Sequence, residues 1–294
     1  NDCFQINVES LAELKKINQI AEGIGKVQNI GIRINPDVQS DTHEKITTGS
    51  LENKFGISVN ETLEIFNKTN EFSSLSITAI AFHIGSNIKD LSPFKNSFEV
   101  AKNLIDKIQL NYNSLKTIDV GGGISPEERN FSFKDYYDML ISYFDKERFN
   151  FIFEPGRLIA ADAGILVSKV LYTKISEGKK FIIIDAGMND MMRPALYDAE
   201  HEILTSKLND SDHNIETEIV GPICESSDKF MRTTKFANIE EGDNVVIKNV
   251  GAYGSTMSSN YNARPFIEEI LINKDEIQII RKKQSFDDFI KNEL

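Results

Sequence analysis

Glycine-rich and charged strings follow four short apolar runs in the first half of the chain. They are Asn35-Pro36-Asp37, His83-Ile84-Gly85-Ser86, Gly121-Gly122-Gly123 and Glu154-Pro155-Gly156-Arg157. A triple glycine has no Cβ atoms, so its backbone can approach a ligand closely, and its consecutive N–H groups can form a nest for an anion such as phosphate. Ser86 has a hydroxyl group that could bind the same anion. Because turns use glycine everywhere, Gly121–Gly123 is weak support by itself, and it matches neither a GxGxxG fingerprint nor a P-loop.

The string Glu154–Arg157 is more specific. A carboxylate at the end of a strand can hold a pyridine nitrogen in its protonated form, and Gly156 would offer its backbone to a ligand. Arg157 could bind a carboxylate through two parallel hydrogen bonds, and His83 could stack on a flat cofactor ring. The structural alternatives are an exposed Glu/Arg pair, which contributes little to stability, and an ordinary histidine bonded to backbone.

The segment Asp185–Tyr197 combines a cluster of methionines with two polar side chains. The methionines are typical of core filling, because their flexible side chains fit irregular gaps. Arg193 and Tyr197 fit a core less well. Together they offer a guanidinium fork and a phenol.

Two later strings carry a thiol and another phenol. In Gly221–Asp228, Cys224 lies beside Glu225. A neighbouring carboxylate disfavours the thiolate, which suits a proton donor better than a nucleophile, although a buried cysteine is usually inert packing. The string from Gly251 to Pro265 is too polar and glycine-rich for a core strand, and it indicates a binding loop that carries Tyr253.

Apolar runs alternate with helical patterns up to about residue 153, which predicts right-handed crossovers and a parallel sheet. The predicted strands cover 4–8, 30–34, 77–82, 117–120 and 151–153, and the predicted helices cover 10–22, 59–67, 94–108 and 133–144. Ser10 and Glu13 predict a capping box at the start of the first helix. The chemically active strings all follow strands, which is where a (β/α)₈ barrel keeps its site.

From about Gly164 the pattern changes to strands separated by Gly, Asp and Asn turns, with few long helical patterns. Strand-like runs cover 165–172, 181–184, 215–220 and 245–248. The sequence therefore predicts two domains. Residues 1–163 form an α/β unit, either doubly wound or part of a barrel, and residues 164–294 form a β-rich unit, a barrel or sandwich.

Composition excludes several classes of protein. The balance of 33 Lys and Arg against 45 Asp and Glu gives a net charge of −12, which disfavours binding to nucleic acid through phosphate neutralisation. The two cysteines show no metal-ligand or disulfide pattern and favour a reducing cytoplasm. No run approaches the ~20 apolar residues of a membrane span, and the first residues do not form a signal peptide.

Taken together and in this order, the strings resemble those of diaminopimelate decarboxylases, members of the alanine-racemase-like class of enzymes that use pyridoxal phosphate (PLP). The matching segments are FQINVES, RINPDV, THEKITTG, NKFGI, FHIGSNI, IDVGGG, EPGR, DAGMNDMMRPALY, GPICESSD and GAYGSTMSSNYNARP. EPGR, CES and GAYG are shared with related amino-acid decarboxylases. MNDMMRPALY and MSSNYNARP are particular to the diaminopimelate branch.

The resemblance implies removal of CO₂ from meso-2,6-diaminopimelate to give L-lysine, in a homodimer whose active sites lie at the subunit interface. By position it assigns PLP to His83, Ser86, Gly122, Gly123, Glu154, Gly156, Arg157 and Tyr253. It assigns the substrate to Arg157, Arg193, Tyr197, Glu225 and Tyr253. Cys224, from the partner subunit, is assigned the delivery of a proton.

The sequence departs from the family pattern at two places. The family attaches PLP to a lysine in a Tyr-Ala-x-Lys-Ala type of string, which does not occur here, so we expect about three barrel strands and that lysine to lie upstream of this sequence. Asn87 replaces the usual Gln. A non-catalytic remnant or regulatory partner is the alternative from another class, and an arginine or ornithine decarboxylase is the enzymatic alternative.

Overall fold

The computed structural model describes residues 3–38, 54–109, 112, 114–128, 131–205 and 215–293. The THEKITTG string at 42–49 lies outside these residues. The chain divides into two compact units, Asn1–Leu158 and Ile159–Leu294. The predicted domain boundary, after residue 163, lies five residues beyond the division between these two units. It stays a prediction.

Unit 1 is a five-stranded parallel sheet whose strands follow one another in chain order. The strands are β1 (Ile6–Val8), β2 (Gln28–Arg33), β3 (Leu75–Ala81), β4 (Thr117–Asp119) and β5 (Asn150–Ile152). The helices are α1 (Leu11–Gly23), α2 (Val59–Asn67), α3 (Ser92–Gln109), α4 (Phe133–Tyr143) and the short α5 (Arg157–Ala160) at its end. This succession confirms the parallel sheet that the apolar periodicity predicts and the partial barrel of about five strands that the family resemblance implies.

Serine caps fix where three of these helices begin. Ser58 accepts a hydrogen bond from the Glu61 N–H, and the Glu61 carboxylate bonds back to the Ser58 backbone, which completes a capping box on α2. At α1 the predicted box forms only in half. Ser10 accepts from the Glu13 N–H at 3.1 Å, but the Glu13 carboxylate bonds the N–H of Glu9 at 2.7 Å because it reaches one residue further back.

The core of unit 1 lies between the sheet and helices α3 and α4. It is rich in isoleucine from the strands and in aromatic residues from the helices. Phe98 of α3 is fully buried and contacts the rings of Phe82, Tyr136, Tyr143 and Phe144, all at centroid distances near 6 Å. This packing holds the carboxyl ends of β3, β4 and β5 in fixed positions.

Unit 2 is mainly β-structure, as the sequence predicts. Its six-stranded sheet runs in the order β10-β9-β7-β6-β11-β8, and β12 and β13 form a separate hairpin. The strands are β6 (Leu166–Ser176), β7 (Lys179–Ile184), β8 (Ile203–Thr205), β9 (Thr217–Val220), β10 (Lys229–Thr233), β11 (Asn244–Ile247), β12 (Glu269–Asn273) and β13 (Glu276–Arg281). Two short helices, α6 (Arg193–Tyr197) and α7 (Phe286–Ile290), complete the unit. The sequence patterns did not predict β8, β10, β12 or β13.

No helix among the described residues is long and apolar enough to cross a membrane. Within the same residues, no three His, Cys, Asp or Glu side chains are grouped so that they could hold a metal ion.

Candidate active site

The triple glycine brings three strand ends of unit 1 together. A Cβ atom on Gly122 would lie 2.2 Å from the Glu154 carbonyl oxygen, and one on Gly123 would lie 2.2 Å from the Gly85 carbonyl oxygen. Gly123 also has a φ of +100°, which disfavours other residues. The glycines are therefore needed so that neighbouring backbone can approach. The sequence interpretation considered only the approach of a ligand.

His83 lies at the edge of this cluster as a half-buried ring. The Gly122 N–H donates a hydrogen bond to its Nδ1 atom at 3.2 Å, so that nitrogen carries no proton. Burial, and then the positive charge of Arg33, lower the pKa of His83. The imidazole is thus held neutral beside the triple glycine. A neutral ring can stack on a flat ligand while its Nδ1 atom stays bonded to backbone.

Glu154 forms a carboxyl pair with Asp119, a residue that the sequence interpretation did not include in the site. Asp119 is buried at the end of β4 and accepts hydrogen bonds from the Asn7 side chain at 2.8 Å and the Gly121 N–H at 3.1 Å. Glu154 is exposed as a whole residue, yet partial burial of its carboxyl group and the adjacent Asp119 raise its pKa. Two neighbouring carboxyl groups favour a cation or an N–H donor between them. Asp119 could have been found from the sequence, because it is a carboxylate inside the apolar run that forms β4.

Arg157 begins helix α5, and its side chain is buried. Its Nη2 atom lies 2.6 Å from the Glu127 carboxylate. Glu127 therefore already supplies the ion pair that the sequence interpretation assigned to a ligand carboxylate. Ser86 is half-buried and Gly156 is exposed, and a Cβ atom on Gly156 would meet nothing within 4 Å.

Replacing Gly122 by alanine is expected to destabilise the protein by about 1–3 kcal/mol, because the new Cβ atom must displace the Glu154 backbone. Gly156→Ala is the matched control. It adds the same methyl group into open space, so its free energy of unfolding should stay within about 0.5 kcal/mol of the wild type. Urea unfolding measures both values. Equal stability of the two variants would contradict the close backbone packing.

The carboxyl pair predicts a pH dependence of stability in the protein without cofactor. The pKa of Glu154 is raised above its ordinary value of 4.5, so the folded chain holds this proton more tightly than the unfolded chain. The stabilisation is present below about pH 4.5 and is lost as the pH rises through the raised pKa. Glu154→Gln should remove this loss from a series of urea midpoints. Glu64→Gln, which changes an exposed carboxylate on α2, should not remove it.

In unit 2, one buried carboxylate joins two of the strings that the sequence analysis selected. Asp228 accepts hydrogen bonds from the N–H groups of Met188 and Ile223, each at 2.7 Å. Met188 belongs to the string that leads into Arg193, and Ile223 directly precedes Cys224. Asp228 therefore fixes the position of one string relative to the other.

Arg264 joins a third string to these two. Its Nε atom donates to the Asn189 side chain at 2.9 Å, and its Nη2 atom donates to the Asp185 carbonyl at 2.5 Å. The Ser259 N–H donates to the Asn189 carbonyl at 2.9 Å. The loop 257–265 is thereby attached to the start of the Asp185–Tyr197 segment. These long-range bonds satisfy the buried polar side chains of Asn189 and Asp228.

Cys224 and Glu225 are both exposed in the described chain. Cys224 is therefore not packed in the core of the described chain. The Glu225 carboxylate accepts hydrogen bonds from the Tyr261 hydroxyl and, at 3.2 Å, from the Ser227 hydroxyl. The hydrogen bond to Glu225 raises the pKa of Tyr261. Tyr261 was not predicted as a site residue, although a tyrosine in an otherwise polar loop was a visible signal.

Arg193 and Tyr197 lie one helical turn apart on α6, so they share a face of that helix. Arg193 is buried, and its Nη1 atom lies 3.0 Å from Nε2 of His201. Tyr253 is half exposed and has a φ of +61°, which is rare for a bulky residue. Backbone strain of this kind occurs preferentially at functional sites.

The family model described as "Pyridoxal-dependent decarboxylase, pyridoxal binding domain" matches residues 1–161. The fold and the strand-end cluster therefore belong to the class of PLP-dependent decarboxylases, and PLP is the cofactor. The residues present fit it, since the Glu154–Asp119 pair suits the protonated nitrogen of a pyridine ring and the neutral His83 suits its face.

Similar proteins of known activity identify the family within this class of decarboxylases. The diaminopimelate decarboxylase of Zymomonas mobilis is 38% identical over 98% of this chain and 69% of its own length. That of Haemophilus influenzae is 41% identical over 96% of this chain and 68% of its own length. The crystal structure of diaminopimelate decarboxylase from Helicobacter pylori complexed with L-lysine superposes with a TM-score of 0.90, at 39% identity, over 98% of this chain and 72% of that one. The chain belongs to the diaminopimelate decarboxylase family.

Proposed function

We propose that this chain carries out the PLP-dependent decarboxylation of meso-2,6-diaminopimelate to L-lysine and CO₂, the last step of lysine biosynthesis. The observation that carries the proposal is the strand-end cluster of unit 1, in which a carboxyl pair, a neutral histidine and a triple glycine meet. The family relatives and a solved relative that holds L-lysine support the choice of substrate.

PLP, when bound, supplies the electron sink that stabilises the electrons left by the departing CO₂. In the proposal, Glu154 keeps a proton on the ring nitrogen, and Asp119 supports Glu154 through their hydrogen bond. His83 covers one face of the ring. The phosphate would be held by the backbone N–H groups of Gly123 and Gly156, by the Ser86 hydroxyl and by the positive charge of Arg157, while the Gly122 N–H binds His83. The family resemblance adds the Tyr253 hydroxyl.

The substrate carries a reacting amino-acid head and a distal one. We assign the distal carboxylate to Arg193 and Tyr197, because the buried guanidinium and the phenol share one helical turn. Glu225 pairs with the distal ammonium group, and its two hydroxyl neighbours keep its carboxylate in place. Cys224 delivers the proton that replaces CO₂. Its exposure in a single chain is consistent with a thiol that serves a second copy.

We further propose a homodimer in which Cys224 and Glu225 of one copy serve the cofactor of the other. Such an interface follows the symmetric pattern that most homodimers use. The two thiols without a disulfide partner and the net charge of −12 are in keeping with a cytoplasmic enzyme.

The test is to express the protein from its complete coding sequence, add PLP and follow CO₂ and L-lysine after addition of meso-diaminopimelate. One L-lysine per CO₂ is expected. Glu154→Gln should bind PLP but lose about 10²-fold or more in kcat, since the ring nitrogen is no longer held protonated. A preference for ornithine or arginine would assign the chain to another decarboxylase activity. Bound PLP without turnover of any of the three amino acids would favour a non-catalytic role.

A further inference from the structure

The loops after β3, β4 and β5 each carry a residue that the proposed function assigns to the phosphate, namely Ser86, Gly123 and Gly156. Backbone hydrogen bonds join the first two loops. The Ile88 N–H donates to the Gly123 carbonyl at 2.9 Å, and the Ser125 N–H donates to the Ile88 carbonyl at 2.9 Å. A phosphate that contacts all three loops binds more tightly when the loops are held at fixed distances before it arrives.

The Ser125 side chain strengthens the connection between the first two loops. Ser125 is 1% exposed. Its hydroxyl can donate its single hydrogen to the Asn87 amide oxygen at 2.8 Å or to the Glu127 carboxylate at 2.6 Å, and it accepts from the Glu127 N–H at 3.2 Å. Asn87 directly follows Ser86 and has a φ of +68°, a conformation that asparagine adopts more readily than most residues. The hydroxyl therefore bridges the loop after β3 and the loop after β4.

Glu127 extends this connection to the third loop. Its other carboxylate oxygen lies 2.6 Å from Nη2 of Arg157, the residue that directly follows Gly156. The Arg157 side chain is buried and that of Glu127 is half-buried, so this charge-assisted contact is largely shielded from water. Asn87, Ser125, Glu127 and Arg157 thus form one connected group of side chains, the loop-bridging cluster, which reaches all three loops.

Each of the three loops contributes a member of the loop-bridging cluster within two residues of its assigned phosphate donor. We propose that Ser125 and Glu127 are positioning residues that hold the three loops at the distances that a phosphate requires, and that they act on the phosphate through their neighbours. The inference rests on the proposed function, because it takes these loops as the site of the PLP phosphate.

Four variants test the loop-bridging cluster. Ser125→Ala removes the bridge between the first two loops, and Glu127→Ala removes the bridge between the second and the third. Glu127→Gln keeps a carbonyl oxygen for Arg157, and its amide N–H can donate to Ser125 Oγ, so both bridges can form without the charge. Ser97→Ala is the matched control, because Ser97 is a fully buried serine of α3 whose hydroxyl donates to a carbonyl of its own helix at 2.8 Å.

Two ligands isolate the phosphate. Pyridoxamine 5′-phosphate and pyridoxamine differ only by that group, and neither has an aldehyde that could bond a lysine. Kd is measured on the cofactor-free enzyme made from the complete coding sequence. Fluorescence titration gives Kd for the phosphate ester, and competition against the ester gives Kd for pyridoxamine. Tm is measured for every variant, and the two Glu127 variants keep the test decisive if Ser125→Ala does not fold.

For Ser125→Ala and Glu127→Ala we expect Kd for pyridoxamine 5′-phosphate to rise about 10-fold, because each variant loses a hydrogen-bonded bridge of a preorganised site. Kd for pyridoxamine should stay within about twofold, since that ligand does not use the phosphate donors. Glu127→Gln should keep Kd for the phosphate ester no more than about threefold above the wild-type value. Ser97→Ala should lower Tm and leave both Kd values within about twofold of the wild type.

The outcomes separate failure of the inference from failure of the proposed function. If the wild type prefers the phosphate ester and neither alanine variant reduces this preference, the positioning role is wrong. It is also wrong if the alanine variants weaken both ligands equally, which would make the residues only structural, or if Glu127→Gln loses as much affinity as Glu127→Ala. If the wild type itself binds the two ligands equally, the phosphate assignment under the proposed function fails.

Discussion

Replacing Arg193 by alanine is expected to lower kcat/KM for meso-diaminopimelate by about 10²–10³-fold and to leave turnover of D-lysine within about twofold. D-Lysine has the same reacting centre and the same chain length, but a hydrogen atom replaces the distal carboxylate. The two substrates therefore differ only in the group that we assign to Arg193.

The expected size follows from burial. Arg193 is 5% exposed, so a carboxylate that reaches it leaves water. Truncating one partner of a buried, hydrogen-bonded charge pair costs about 2–5 kcal/mol, mostly because the other charge is left unpaired. D-Lysine brings no such charge and gains nothing from the guanidinium. In the wild type the same mismatch should favour diaminopimelate over D-lysine by about 10⁴-fold.

The measurement is a two-by-two comparison of kcat/KM, with wild type and Arg193→Ala against both substrates. Tyr197→Phe is the control on the same helical turn, and it should lose about 10-fold at most because one hydroxyl contributes a single hydrogen bond. An equal loss on both substrates in Arg193→Ala would contradict the assignment. It would instead indicate a general role of Arg193 in the structure of unit 2.

Local patterns in the sequence predicted the elements well because each depends on neighbours along the chain. The helical periodicity at 59–67 requires only a few adjacent residues, and the predicted bounds match α2. The first four helices and first five strands all lie where the apolar periods predict them. The strands β8 and β10 escaped prediction, because each holds only two adjacent apolar residues between polar or charged neighbours.

The supporting residues of the site could not be predicted in this way, because their partners are remote in the sequence. Asn7 bonds Asp119 across 112 residues, and Arg264 bonds Asn189 across 75. His201 contacts Lys248 across 47 residues. No local period encodes such pairs, and only the sheet topology brings them together. The family resemblance selected residues assigned to contact ligands, and the structure adds the residues that hold them.

The triple glycine illustrates the same limit within one motif. Its composition indicated a backbone that can be approached closely, which the structure confirms. The group that approaches Gly122 is the Glu154 carbonyl, which belongs to another strand end. The three glycines in the sequence indicate that a group can approach the backbone closely, but they do not indicate which group does so.

A mixture of two inactive variants should regain activity if the sites are shared between copies. Glu154→Ala removes the carboxylate assigned to the cofactor ring, and Cys224→Ala removes the proton donor, so each homodimer should lose about 10²-fold or more. After exchange at equal amounts, half of the dimers are mixed. Each mixed dimer has one site with both defects and one site with none, so the mixture should recover about a quarter of the wild-type activity.

Different affinity tags on the two variants allow the mixed dimer to be purified, and its activity should be about half that of the wild type because one of its two sites is intact. Two Glu154→Ala subunits with different tags, treated in the same way, control for effects of exchange and should stay inactive. An inactive purified mixed dimer would show that Cys224 and Glu154 of the same copy act together. In that case the exposure of Cys224 in the single chain would need a cause other than service to a second copy.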